Sequence, residues 1–292
     1  MENTTDIAQT IINTINTIFE NLFASIDNNL YSLLDEITFI NSDIIKDKTF
    51  EKIFGTSASD GILIIANSLL LGFIVYYSIR YLMSHLTFHR IENPFAFIIK
   101  LIIFGIFMNF SFSVLSIFLD LFDNISSSIR YLGENLFNHS INFSQLITKI
   151  NSTISINSNS IDIFSINGII KSTLTLSLVN LVFSYSFRYI MIKIFVLLAP
   201  FAFLSLTLDS SSWFFKTWFK NLFSLLFIQI IVSLVLLILF SFDFSNSNLF
   251  TKFIYVGGIY ALIKTNTIVR EFIGGISTNI SQTVQNFSNL KL

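Results

Sequence analysis

The chain has 292 residues, 53% hydrophobic and only 12% charged, with 17 basic and 18 acidic side chains and a formal net charge of −1. A soluble domain carries about 25% charged residues. Half that charge, in a chain of mean hydropathy +0.71, excludes a water-soluble fold and indicates an all-α, polytopic membrane protein. With no cysteine there is no disulfide, thiolate metal site, iron–sulfur ligation or thiol nucleophile.

The N-terminal stretch is acidic and lacks the basic opening of a cleavable signal peptide. Over residues 5–38, Ile7, Ile11, Ile15, Ile18, Leu22, Ile26 and Leu33 recur at helical spacing, with Asn16, Glu20, Asn28 and Asp35 mainly opposite. An amphipathic helix is expected there, inside an extracytoplasmic segment 1–60. Its acidic polar face argues against adsorption to anionic lipid and for packing on a partner or another copy.

Residues 61–82 form the first expected span, closed by Tyr76, Tyr77, Arg80 and Tyr81, residue types that favour the membrane boundary. Residues 95–119 form the second, opened by Pro94. Residues 120–168, rich in Ser and Asn, read as an external and largely irregular loop. Three further spans are expected within 169–270, and 271–292 as a short cytoplasmic tail.

Residues 169–199 pose a choice between two short spans and one long helix. Thirty-one residues reach ~46 Å, against ~30 Å of hydrocarbon. Charge decides. With one long helix there are five spans, and the side holding the loop between the first two carries ten basic residues and three acids. The other side carries seven basic residues and fifteen acids, which satisfies the positive-inside rule. The N-terminus is then outside and the C-terminus cytoplasmic. Arg188 and Lys193 are expected at the cytoplasmic end of the long helix, snorkelling toward water, with Pro200 helping to end it.

An elbow follows at 200–220. Residues 209–220 read as an interfacial helix capped by Asp209 or Ser210, with Lys216, Thr217 and Lys220 on one face and Phe214, Phe215, Trp218 and Phe219 on the other. Residues 221–242 and 250–268 are the last two spans. Asn67, Asn109, Asn180, Gln229 and Asn266 fall inside spans, where they either bond between helices or line a pathway. Gly257 and Gly258 suit either close helix approach or flexibility.

No P-loop, nucleophile elbow or zincin motif occurs, and no pair of acids lies within a span, so no enzyme activity and no cofactor are expected. His85 and His89, spaced i, i+4, read as loop residues without a complete ligand set. Basic and aromatic residues form no stacking platform for nucleic acid.

Arg188, then Ala199-Pro200 after an apolar run, then Trp213, then "WFKNLFSLLFIQ" (218–229) make a recognisable order, followed by "IVREFIGGIS" with Gly274-Gly275. This order, with the five-span layout, resembles the TrbL family, polytopic inner-membrane subunits of conjugative type IV secretion systems. The resemblance implies a non-enzymatic channel or scaffold subunit, in several copies, beside other membrane subunits and cytoplasmic ATPases and in transient contact with transferred DNA. The elbow, with Arg188, Lys193, Pro200, Trp213, Lys216, Trp218 and Lys220, is the expected docking surface. A permease subunit for a small solute and a pore-former are the rival readings.

Overall fold

The computed structural model describes residues 10–11, 13–15, 17–18, 21, 33–55, 61–87, 93–154, 166–242 and 248–274, without the side chains of 85–87 and 151–154. Among these residues every regular element is helical: a 3-10 turn at Ser42–Ile44, then α1 (Lys48–Phe54), α2 (Gly61–Thr87), α3 (Pro94–Asn109), α4 (Ser111–Phe137), α5 (Phe143–Ile154), α6 (Ile166–Ser205), α7 (Ser212–Phe240) and α8 (Leu249–Ile273). Among the described residues, four helical stretches are long and apolar enough to cross a membrane: 61–84, 111–137, 166–205 and 209–240. The protein is an all-α membrane protein. Of the five expected spans, α8 falls outside that set and α3 is apolar but 16 residues long.

The second expected span is divided. The chain turns at Phe110, so 95–119 belongs to two helices, α3 and α4. Pro94 occupies the first turn of α3, where its missing N–H costs least, and the Asn93 side chain caps that helix by accepting from the Phe95 amide.

The expected irregular loop 120–168 is largely helical. α4 runs on to Phe137 and ends on Asn138 in the left-handed conformation (φ 56°), and α5 follows. Ser and Asn dominate the composition there, but the apolar residues keep helical register. Leu115, Leu119 and Phe122 are buried on α4, and Phe143, Leu146, Ile147 and Ile150 on α5. Residues 155–165 and most of 5–38 lie outside the described residues; 33–38 are helical.

α6 is one unbroken helix of 40 residues. Pro200 does not end it. It sits buried inside the helix, which forgoes one ladder bond and continues to Ser205. Residues 209–220 are not a separate interfacial helix either. A 3-10 turn at Asp209–Ser211 leads directly into α7, with no side-chain cap, and Asp209 pairs instead with Lys100 of α3 at 2.9 Å.

Pairwise contacts fix the helix directions. Trp218 donates to the Phe195 carbonyl and Arg188 to that of Leu225, so α6 and α7 are antiparallel. Phe118 meets Phe219 and Phe122 meets Phe223, so α4 runs parallel to α7. Lys252 meets Asn167 and Asn266 meets Ser184, so α8 runs parallel to α6. Residues 33–55 pack into the same core through Leu34, Ile40, Ile45 and Phe54. The α2–α3 hairpin lies alongside α6. Only 17% of the apolar window of α2 is buried, against 56% for that of α7, so α2 presents most of its circumference to lipid or a neighbouring chain.

Gly258 allows close approach of α8 to α7: a Cβ there would collide with the Leu239 side chain, whereas one on Gly257 would meet open space. Gly258→Val is expected to lower stability by about 1–3 kcal/mol through overpacking, and Gly257→Val to stay within about 0.5 kcal/mol. Melting in detergent checks the pair; equal melting points would place the contact elsewhere.

Candidate functional site

Arg188 lies at the middle of α6 and is 0% exposed. It does not snorkel. A guanidinium inside a bundle must have its donors satisfied, and here three acceptors on two neighbouring segments do so. Nε donates to the Leu225 carbonyl of α7 at 2.8 Å, Nη1 to the Thr38 carbonyl at 2.9 Å and Nη2 to Gln229 Oε1 at 3.3 Å. Gln229 Oε1 also accepts from the Ile40 amide at 3.1 Å. Residues 38–40, between the short helix 33–38 and the 3-10 turn, are therefore held through their backbone by two side chains of the bundle.

Polar contacts extend from this knot. Ser126 and Ser233 share a hydrogen bond of 2.7 Å across α4 and α7, and Ser233 also donates to the Gln229 carbonyl at 3.0 Å. Along α6 and α8, Tyr185 donates to the Leu262 carbonyl and Asn266 to Ser184 Oγ. Two polar atoms of the knot, Gln229 Nε2 and Thr38 Oγ1, are buried without a hydrogen-bond partner.

The strap, residues 33–45, is pinned at two further points. Asp35 accepts from the amides of Phe143 (2.8 Å) and Ser144 (3.2 Å) and so caps α5. Burial pushes the Asp35 carboxyl above its ordinary range, and those amides and Arg130 pull it part of the way back. Asp120 of α4 accepts from the Ser42 amide at 2.9 Å. Arg130 stacks over Phe39, 3.9 Å from the ring centroid, and lies 4.0 Å from Asp123.

The other expected site residues are dispersed. Lys193 is half-buried, over the rings of Tyr189 and Phe50. Trp218 is buried and bonded to the Phe195 carbonyl, while Trp213 is 63% exposed. Lys216 and Lys220 are exposed on the first turns of α7, and Lys220 packs against Gly274 at the end of α8. Asn67 and Asn109 pair reciprocally across α2 and α3 at 3.2 and 3.4 Å, and Asn180 is exposed. His139 is exposed; the His85 side chain and His89 lie outside the described residues.

The elbow residues thus do not form one surface. Arg188, Pro200 and Trp218 are interior, and only Trp213, Lys216 and Lys220 remain outward. Sequence reasoning missed the partners of Arg188. Gln229 was legible as the polar interruption of an apolar helix. Thr38 and Ile40 were not, because they act through backbone atoms that every residue carries.

No protein-family model, curated protein or solved structure matches the chain.

Proposed function

We propose that the chain is a non-enzymatic channel or scaffold subunit of a type IV secretion system, set in the cytoplasmic membrane with its N-terminus outside and its C-terminus inside. One observation carries the reading: the residues of the TrbL-like order lie against one another. Arg188 bonds Gln229, Trp218 bonds the carbonyl of Phe195 one turn before Ala199, and Gly274 abuts Lys220. A motif scattered over 87 positions, 188 to 274, therefore describes one packed unit of α6, α7 and the end of α8. The exposed apolar surface of the α2–α3 hairpin also suits a subunit that works among copies of itself or other membrane subunits.

The test is a crosslinked pull-down of a tagged copy from native cells, read by mass spectrometry and by amplification of bound mobile-element DNA. Recovery of conjugation ATPases with that DNA supports the reading. A lone transporter ATPase, or the protein by itself, overturns it. Orientation is checked separately with single cysteines in a chain that has none of its own. With an impermeant maleimide on intact cells, Ser140→Cys is expected to label and Thr217→Cys only after permeabilisation; both positions are exposed. Labelling of both on intact cells would refute this topology.

A further inference from the structure

We propose that α4 and the strap form a wet wall, a side of the bundle that meets water at the same depth at which another side of α4 meets lipid. α4 is among the helices long and apolar enough to cross a membrane, yet it carries ionisable residues along its length. Asp120, Asp123, Ser127, Arg130 and Glu134 recur at spacings of three and four, so they form one stripe, and each is half-buried. From Asp120 to Glu134 the stripe runs ~21 Å, most of the ~30 Å of hydrocarbon.

The register places the stripe beside apolar helix. Phe122 packs on Phe223 and Ser126 bonds Ser233, so α4 beyond Phe122 lies along the apolar run of α7 that continues to Phe240. Members of the stripe join one another: Arg130 donates to Ser127 and Ser127 to Asp123, and Asp35 and Glu134 are further acids that bear on Arg130. Arg130 Nε is buried with no hydrogen-bond partner. Ionisable groups on a spanning helix face protein or a water-filled space. The strap lies on the stripe, through Phe39 beneath Arg130 and the Ser42 amide on Asp120. Its own outward side chains are charged as well: Glu36, Asp43, Lys46 and Asp47 are exposed.

Beyond the stripe, the exposed surface of α4 divides in two. At ~100° per residue Asn124, Ser128, Tyr131 and Asn135 continue the polar side, whereas Leu121, Ile125, Leu132 and Leu136 gather on the other, each group within an arc of about 60°. Lipid all round would put the first group and the stripe in hydrocarbon, and water all round would put the leucine side in water. Lipid on the leucine side and water on the strap side satisfies both. This deepens the channel reading, on which it rests only for what the water would carry.

The test uses the tagged full chain in native membranes, with one cysteine added to a chain that has none. N-ethylmaleimide crosses membranes but reacts with the thiolate, which forms in water. Ser128→Cys is the polar reporter, with Asn124→Cys as a second should the first accumulate poorly. Ile125→Cys and Leu132→Cys, about one turn to either side on the same helix, are the apolar reporters. Unblocked thiols are then counted, after denaturation, by the gel shift of a polymer-linked maleimide. The polar reporter is expected to be blocked at least about tenfold faster than either apolar one, since apolar surroundings raise a thiol pKa by about one unit or more. Equally slow blocking at every site means that protein or lipid covers the polar side, and equally fast blocking means that α4 lies outside the lipid. Either result overturns the wet wall, as does the reverse order. No transfer is measured, so a failed pull-down leaves this result standing, and a dry Ser128 removes the wall without removing the scaffold form of the secretion reading.

Discussion

Replacing Arg188 with alanine is expected to cost roughly 3–5 kcal/mol, the largest loss from any single change in the bundle. The cost has two parts. The Thr38 carbonyl becomes a buried acceptor without a donor, worth about 1–3 kcal/mol. Gln229 Oε1 keeps the Ile40 amide, and the Leu225 carbonyl keeps its place in the helix ladder, so neither is orphaned. The remainder is the void left by a long side chain that was 0% exposed. Arg188→Met fills most of that void and removes a charge that no carboxylate balances, so its cost is expected to be nearer 1–2 kcal/mol, roughly one unsatisfied carbonyl. Melting in detergent gives the order wild type, Met, Ala. The damage should begin at residues 33–45, seen as faster proteolysis there before the bundle melts. An alanine variant that melts with the wild type would show that Arg188 is not what holds the strap.

The double charge reversal Lys216→Glu/Lys220→Glu is expected to reduce transfer at least about a hundredfold while the protein accumulates normally. Both side chains are exposed, so reversal disturbs no core contact. The one internal effect is at Lys220, which lies against the C-terminal end of α8. A carboxylate beside that helix end costs about 0.3–1 kcal/mol, too little to unfold the protein. Loss of transfer at constant protein level would therefore report a lost docking contact, with exposed Trp213 on the same helix as its apolar part. The neutral pair Lys216→Gln/Lys220→Gln should fall between. Normal transfer in the Glu variant would show that these lysines are not a docking contact.

The all-helical class and the membrane setting were written in the sequence. Lipid selects for long apolar runs, and a run such as 221–242 can satisfy its backbone only as a helix. The length of α6 was legible from charge, since two short spans would scatter the basic residues across both sides. The Asn67–Asn109 pair and the close approach at Gly258 were legible as alternatives only, because a polar or small residue in a span specifies that something comes near, not what.

Tertiary structure decided the rest. An arginine in an apolar run reads equally well as a boundary residue or as a buried one, since hydropathy along one helix does not reveal what the neighbouring helices offer it. Here Gln229 lies beside Arg188 only because α6 and α7 are antiparallel and tightly joined, and the strap supplies a free carbonyl only because its helix stops at Thr38. α4 and α5 were hidden for a related reason. Ser and Asn are frequent along 120–168, while residues such as Leu119, Phe122, Leu146 and Ile150 turn inward at helical spacing and hold both helices to the bundle. Sequence alone determined an all-helical chain fit for lipid; which charge is buried, and what surrounds it, depended on contacts between segments as much as 189 residues apart.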